Sequence, residues 1–289
     1  MKKSRIITTI FLAYVLWRVA IPEYISTEPV RIGAFNIRVF GKAKRGKADV
    51  MDVLTKIALE FDILFVQEIR DASGETAPYY LQLMNEAGNS SYEFIRSARL
   101  GRTTSKEVYV YFYNNETVDF IEGSDYVFND ANDVFEREPY IASFKSGEFD
   151  FTVVGIHVSP YDAYNEIGNL SLVVQYVLEN DPNEEDIIVL GDLNADGSYY
   201  YEEDTTNPFK APEFFWVITN EMDTMVITPW TYDRIVMLNT THGNEFVYGS
   251  AGVFYFDVEY GITDPDFVEK VSDHYPIYAD FWTDKEDDD

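Results

Sequence analysis

Residues 187–194 read IIVLGDLN, an apolar run and a glycine followed at once by the polar residues of Asp192-Leu-Asn194. A short apolar run of this kind, bounded by turn residues, is typical of a buried strand. Other apolar runs also meet polar residues: Asn36 follows GAF, Gln67 and Glu68 follow DILFV, His157 follows FTVVGI, and Asp273 and His274 precede PIYADFW. Because rigid strands aim the side chains at their ends into one crevice, these places together predict a single site.

Helical and strand patterns alternate along the rest of the chain. Apolar residues recur at helical spacing in residues 48–61 and 162–179, and residues 78–87 are also predicted to be helical. Strands are predicted at residues 30–37, 62–66, 108–113, 118–121, 140–144, 149–158, 187–190, 234–238 and 276–282. Since several strands follow one another directly, the pattern predicts mixed sheets with helices outside and not a βαβ barrel.

The composition is that of a globular and strongly acidic protein. A chain of 289 residues can bury a sizeable core, and the lack of cysteine excludes disulfides, zinc–thiolate sites and a cysteine nucleophile. The net charge of −29 opposes a polyanionic partner at long range, and we interpret it as a surface adapted to concentrated salt; acidity without such adaptation is the alternative. Residues 38–47 and 96–106 nevertheless contain basic residues and no acidic ones, which favours a surface that faces phosphate.

The two ends of the chain differ from its middle. Lys2, Lys3 and Arg5 precede an apolar run from Ile6 to Trp17, so residues 1–25 are predicted to be a signal peptide or a short membrane anchor; a buried N-terminal helix is the alternative. This segment predicts a secreted or extracytoplasmic protein, with membrane attachment if the anchor is retained. Residues 284–289 are acidic and are predicted to be a disordered tail.

The chain has three histidines, and two of them lie at predicted strand edges. His157 and His274 stand beside turn residues, where imidazole can serve as an acid or a base near neutral pH. His242 lies in NTTHGNE, which we interpret as an ordinary loop.

Eight motifs are distributed along the chain: GAFNI (33–37), VQEIRD (66–71), LGRTTSKE (100–107), FEREP (135–139), GIHVSPYDA (155–163), GDLNADGSYY (191–200), YDRIVM (232–237) and SDHYP (272–276). Together they resemble the motifs of the deoxyribonuclease I family, within the endonuclease/exonuclease/phosphatase superfamily. The GD-x-N and SDH motifs are typical of the whole superfamily, whereas the LGR, REP and YDRIV motifs indicate the deoxyribonuclease I branch. The resemblance covers residues 30–283 and implies one catalytic domain with two packed mixed β-sheets flanked by outer helices, a four-layer α/β sandwich.

The resemblance also implies roles for individual residues. The catalytic set would be His157 paired with Glu107 and His274 paired with Asp233, with His274 as the base and His157 as the acid. The metal and phosphate ligands would be Glu68, Asp273, Asp192, Asn194 and Asn36; the other substrate contacts would be Arg70, Arg137 and Tyr232. Carboxylate and amide oxygens suit Mg²⁺ or Mn²⁺ better than zinc. Asp133, the Phe135 carbonyl and Glu138 match a structural Ca²⁺ site of the family.

The implied function is that of a monomeric, exported endonuclease that cuts DNA with little sequence specificity and leaves 5′-phosphate ends. The alternatives are another phosphoesterase of the superfamily, such as a sphingomyelinase-like or nucleotide phosphodiesterase, and a non-catalytic binding protein on the same scaffold. Two departures from the family stand out: the disulfide of its vertebrate members is absent, and Ser105 replaces a tyrosine that stacks in the minor groove.

The acidity predicts that salt stabilises the fold. Repulsion among 51 acidic residues opposes the compact state. Salt weakens this repulsion, because the Debye screening length shortens from about 30 Å at 0.01 M salt to about 3 Å at 1 M. The melting temperature should therefore rise with sodium chloride over that range. A melting temperature that stays flat or falls would show that the charge is already balanced within the fold.

Overall fold

The computed structural model describes residues 28–88, 91–181 and 184–285. The signal peptide or anchor predicted at residues 1–25, and residues 286–289 of the predicted tail, lie outside these ranges and stay predictions. None of the helices in the described ranges is both long enough and apolar enough to cross a membrane.

In the described residues, the first sheet consists of the strands β1 (Val30–Phe40), β2 (Ile63–Ile69), β3 (Tyr92–Arg96), β4 (Val108–Asn114), β12 (Gly252–Val253) and β13 (Ile277–Phe281). Their order in the sheet is β12-β13-β1-β2-β4-β3. Strands β1 and β2 run parallel, and their neighbours β13 and β4 run antiparallel to them.

The second sheet consists of the strands β5 (Asp119–Phe120), β6 (Tyr126–Val127), β7 (Tyr140–Ser146), β8 (Phe149–His157), β9 (Ile187–Asp192), β10 (Phe214–Trp216) and β11 (Asp233–Leu238). Their order is β10-β11-β9-β8-β7-β5, and β6 pairs with β7. Strands β8 and β9 run parallel, whereas β11 runs antiparallel to β9.

The two sheets pack face to face, with helices on their outer faces. The helices are α1 (Lys42–Arg45), α2 (Ala48–Ala58), α3 (Thr76–Ala87), α4 (Ala163–Asn180), α5 (Asn239–Asn244), α6 (Phe256–Glu259) and α7 (Pro265–Val271), with a 3₁₀ helix at Pro208–Lys210. Of these, α2, α3, α6 and α7 cover the first sheet, and α4 covers the second. The prediction of two packed mixed sheets with outer helices is therefore confirmed.

Sequence patterns missed several short elements. The loop predicted around His242 is wrong, because this residue lies in helix α5 and stacks on Phe215 at a ring distance of 3.9 Å. Strand β3 and helices α6 and α7 were not predicted either. Their segments are short, and each contributes too few apolar residues for a period to stand out.

One edge of the sandwich gathers the ends of the parallel strands and the starts of the antiparallel ones. His157 and Asp192 end the neighbouring strands β8 and β9, and Asp233 pairs with Asp192 at the start of β11. In the other sheet, Asn36 pairs with Gln67. The topology therefore brings residues from distant parts of the chain to the same edge, as the strand-end pattern predicted.

The sheets approach each other closely beneath that edge. Gly155 of β8 faces the other sheet, and a Cβ atom at this position would lie 2.3 Å from Cε2 of Phe65 and 2.5 Å from the hydroxyl of Tyr111. These distances are too short for any side chain, so only glycine allows this spacing of the sheets.

Substitution Gly155→Ala should therefore destabilise the fold by about 1–3 kcal/mol, the usual cost of overpacking a core. Urea unfolding measures this loss. The matched control is Gly243→Ala in α5, where an added Cβ meets no atom within 4 Å, so the free energy of unfolding should stay level or rise by roughly 0.5–1 kcal/mol. Equal effects of the two substitutions would contradict close packing at Gly155.

Candidate active site

His157 is buried at the end of β8, and its Nδ1 atom contacts the carboxylate of Glu107. Its Nδ1 lies 3.0 Å from Oε1 of Glu107, which in turn contacts Nε of Arg137 at 2.5 Å. Burial opposes a charge on either partner, but their mutual attraction outweighs it, raising the pKa of His157 and lowering the pKa of Glu107 to about 2. The carboxylate thus fixes the ring orientation and favours the imidazolium form.

His274 forms a second pair of the same kind. Its Nδ1 lies 2.8 Å from Oδ2 of Asp233, which is fully buried at the start of β11. Burial disfavours the charged ring, but the charges of Asp233 and Asp192 exceed this effect and raise the pKa of His274. Thr224 supports the pair, because its hydroxyl accepts a hydrogen bond from the backbone N–H of Asp233.

Asp192 lies between the two histidines. Its Oδ2 is 3.3 Å from Nε2 of His157 and 3.6 Å from Nε2 of His274. The same oxygen accepts a hydrogen bond of 2.9 Å from Nδ2 of Asn36, which belongs to the other sheet. Both imidazoles therefore turn their Nε2 atoms to one carboxylate and their Nδ1 atoms to carboxylates of their own.

The sequence GDLN explains how Asp192 is placed. Gly191 has a φ of +138°, and a Cβ there would lie 2.0 Å from the carbonyl oxygen of Ile156, so the chain can bend beside β8 only with glycine. Asn194 adopts the left-handed region with a φ of +48°, which asparagine tolerates better than most residues. Its N–H donates to Oδ1 of Asp192 and its side-chain amide donates to the carbonyl of Val158, which locks the turn.

The first sheet contributes oxygen ligands suited to a hard cation. Glu68 and Asp273 line the same cleft as Asn36, whose buried Oδ1 has no hydrogen-bond partner among the described residues. A carbonyl-type oxygen left free in a cleft that also contains two carboxylates fits Mg²⁺ or Mn²⁺. Glu68 also has a φ of +61°, and its Oε2 accepts a hydrogen bond from the N–H of Val39, so a strained turn aims its carboxylate.

A second set of metal-binding groups lies close by. Within the described ranges, one trio of acidic or histidine residues has all its ligand atoms within 4.8 Å, namely Asp192, Asp233 and His274. Two members of this trio, Asp233 and His274, are already hydrogen-bonded to each other through Oδ2 and Nδ1. We therefore favour the oxygen set of Glu68, Asp273 and Asn36 as the metal ligands.

The predicted substrate contacts all line the cleft, but they are not equally accessible. Arg70 is ion-paired with Glu68 at 3.0 Å, and Tyr232 is largely buried near His274. Arg137 lies behind His157 and donates two hydrogen bonds to its carbonyl oxygen. The structure thus gives Arg137 a supporting role at His157, and its contact with phosphate stays a prediction.

The residues matched to a calcium site lie on a neighbouring turn. Asp133 is exposed with a φ of +54°, and its carboxylate is 2.9 Å from Nε of Arg102. The N–H of Phe135 donates to Asp130, and Glu138 is half-buried. Calcium binding here stays a prediction.

The basic segments do not form one continuous phosphate-facing surface. Arg38 and Arg102 line the cleft, whereas Arg45 turns to Asp71 and Glu75, and Lys44 donates to the carbonyl of Val271. The expectation from charge clustering alone is thus only partly met.

The cleft has a volume of about 890 Å³ and includes residues that were not predicted as site residues. Tyr161, Tyr199 and Trp230 line it with exposed rings, and the first two lie inside the motifs quoted above. Ser272 and Tyr109 support it, through the bond from Ser272 Oγ to the Asn36 carbonyl and the bond from the His157 N–H to the Tyr109 hydroxyl. Aromatic and hydroxyl residues are common in ordinary strands and loops, so their spacing in the sequence gave no signal.

Comparison with known proteins places the chain among nucleases. The model of the endonuclease/exonuclease/phosphatase family matches residues 33–274. Deoxyribonuclease-1-like 1 of Cricetulus griseus is 36% identical, with 87% of this chain and 83% of that protein covered. Deoxyribonuclease-1 of Gallus gallus is 33% identical, with 95% and 97% covered.

Solved structures support the fold. An endonuclease/exonuclease/phosphatase family protein from Bacteroides thetaiotaomicron superposes with a TM-score of 0.62 at 15% identity, over 89% of this chain and 98% of that one. At such low identity the likeness concerns the fold alone. The family model and the identities to two deoxyribonucleases reach further: the chain belongs to the deoxyribonuclease I family of the endonuclease/exonuclease/phosphatase superfamily.

Proposed function

We propose that this protein is a divalent-metal-dependent endonuclease that hydrolyses phosphodiester bonds of DNA with little sequence specificity. The observation that carries the proposal is the arrangement of two buried histidines, each paired with its own carboxylate and each facing Asp192. Such an arrangement places two proton-transfer groups next to one phosphodiester group of the substrate. The names of the related proteins supply the substrate class.

In the proposed reaction, the oxygen of a water molecule bonds to phosphorus as the bond from phosphorus to the 3′ oxygen breaks. One histidine takes a proton from the water, and the other gives a proton to the leaving 3′ oxygen, so the products are a 5′-phosphate and a 3′-hydroxyl. His274 as base and His157 as acid remains our proposal. Glu107 and Asp233 hold the rings in place and stabilise their charged forms.

Glu68, Asp273 and Asn36 would hold the metal. A bound Mg²⁺ or Mn²⁺ polarises the phosphoryl oxygen and offsets the charge that develops on it. Asp192 faces both histidines and Asn194 lines the same cleft, where the two residues would orient the phosphate.

We also propose that the protein is exported and acts as a monomer. The basic and apolar character of residues 1–25 supports export, with membrane attachment if this segment is retained.

Removal of either paired histidine should nearly abolish cleavage. His157→Ala and His274→Ala should each lower the rate of plasmid nicking by about 10² or more, the usual contribution of general acid–base catalysis. The control is His242→Ala, which removes a ring that stacks on Phe215 away from the cleft, so its nicking rate should be close to that of the unaltered protein. Comparable losses in all three variants would refute the assigned site.

Chelation should abolish nicking, and Mg²⁺ or Mn²⁺ should restore it, because the proposed ligands are hard oxygens. Glu68→Gln should raise the Mg²⁺ concentration for half-maximal nicking, on the order of tenfold or more. Glu86→Gln, an exposed change on α3, is the matched control and should leave that concentration unchanged. Restoration by Zn²⁺ alone would argue against an oxygen-ligand site, and an unchanged Mg²⁺ requirement in Glu68→Gln would remove this residue from it.

A further inference from the structure

We propose that Tyr109 is a positioning residue for proton transfer at His157. Its hydroxyl fixes the main chain that carries this histidine, at the point where the neighbouring strand no longer does so. The inference rests on the proposed function, because the effect of Tyr109 is measured as a rate of DNA cleavage.

Within the described ranges, no strand continues beside the end of β8 on the side of β7. The N–H of Val158 donates to the carbonyl of Asp192 in β9, so the N–H and the carbonyl of the preceding residue, His157, point to the opposite side of the strand. On that side β7 begins with Tyr140, which pairs with Gly155. The main-chain groups of His157 therefore extend past the start of β7 and need other partners.

The hydroxyl of Tyr109 takes the place of a strand partner. Tyr109 belongs to β4 of the first sheet and is fully buried in the core that both sheets share. Its hydroxyl accepts a hydrogen bond of 2.8 Å from the N–H of His157 and lies 3.4 Å from the carbonyl oxygen of the same residue. Arg137 donates to that carbonyl through two nitrogen atoms, at 3.1 and 3.0 Å. Side chains thus bind both main-chain groups of His157.

Glu107 and Tyr109 act on His157 from one segment of the chain. They are two positions apart in an extended segment, so both side chains leave it on the same side. Glu107 binds Nδ1 of the ring, whereas Tyr109 binds the peptide from which the ring extends. The two contacts together determine where Nε2 lies, and this atom faces Asp192 at 3.3 Å.

A fixed peptide matters for the rate of proton transfer. A proton-transfer group has to lie within hydrogen-bond reach of the atom that it serves, and catalytic groups have to be held to within about 0.5 Å. Loss of the hydroxyl leaves the buried N–H of His157 without this acceptor, so the peptide shifts towards another one. Such a shift moves Nε2 even when Nδ1 keeps its contact with Glu107.

Tyr109→Phe removes this acceptor but keeps the ring, and Tyr111→Phe is its matched control. Tyr111 is also fully buried, and its hydroxyl bonds to the carbonyl of Tyr140 at 2.8 Å and to the carbonyl of Val153 at 3.3 Å. Each substitution therefore removes one buried hydroxyl from the same face of β4. The two melting temperatures should fall by similar amounts, and they also check that both variants are folded.

The measurement is the cleavage of a duplex oligonucleotide with Mg²⁺ by an excess of the full-length protein, well below the lower melting temperature. Tyr109→Phe should lower the maximal rate by about ten- to hundredfold, the scale of a small misplacement of a catalytic group. The protein concentration for half-maximal rate should stay nearly the same, because Tyr109 does not line the cleft. Tyr111→Phe should leave both values near those of the unaltered protein.

A double substitution shows whether Tyr109 acts through His157. In a protein that already carries His157→Ala, Tyr109→Phe should lower the residual rate far less than it does alone, because the group that it positions is absent. An equal factor with and without His157→Ala overturns the positioning role, and so does a loss no larger than that of Tyr111→Phe. If His157→Ala cleaves the duplex as fast as the unaltered protein, or if the unaltered protein cleaves no DNA, the proposed function itself fails.

Discussion

The site depends on one carboxylate that the two sheets share. Oδ2 of Asp192 accepts a hydrogen bond from Asn36 of the first sheet and faces Nε2 of both His157 and His274. Two imidazoles can stand on either side of one oxygen only if the segments that carry them are held in place, to within about 0.5 Å for a catalytic arrangement. The supporting contacts achieve this, because Glu107 and Asp233 hold the far nitrogens of the rings. Each ring is thereby restrained at both nitrogens, which is the preorganisation that acid–base catalysis requires.

The close approach of the sheets follows from the same constraint. A bond from Asn36 to Asp192 joins strands of opposite sheets, so the sheets must converge at this edge. Gly155 and Gly191 supply the space, the first by leaving room for Phe65 and Tyr111 and the second by bending β9 beside Ile156. The core therefore does more than stabilise the chain: its smallest residues set the spacing at which catalytic groups from two sheets can meet.

The sequence alone predicts those features that depend on a pattern of neighbouring residues. Apolar runs that end in Asp192 or His157 predict the strands and the polar edge, because a continuous apolar run followed by a polar residue can be recognised from neighbouring residues alone. The pairing of Glu107 with His157, fifty positions apart, has no period, and only family resemblance indicated it. The sequence does not identify Trp230 or Tyr199 as residues of the cleft, because neither the loop position nor the aromatic side chain shows that a residue faces the site. The sequence NTTHGN predicts a loop because its helical propensity is poor, whereas the structure has helix α5 there, stabilised by tertiary packing.

The acidity of the chain and the chemistry of its site can be reconciled by the ion pairs of the cleft. If cleft arginines stood free in a protein of net charge −29, they would be the main long-range attraction for DNA, and solvent ions would screen that attraction strongly in concentrated salt. Instead, carboxylates such as Glu68, Asp133 and Glu269 hold these arginines at fixed positions. An arginine held in this way contributes short-range contacts more than long-range electrostatic attraction, because a phosphate can contact it only after reaching the cleft. The substrate therefore depends on contacts made inside the cleft and not on attraction by a diffuse positive surface. The acidic surface and the proposed DNA-cleaving site are compatible, provided that recognition takes place within the cleft.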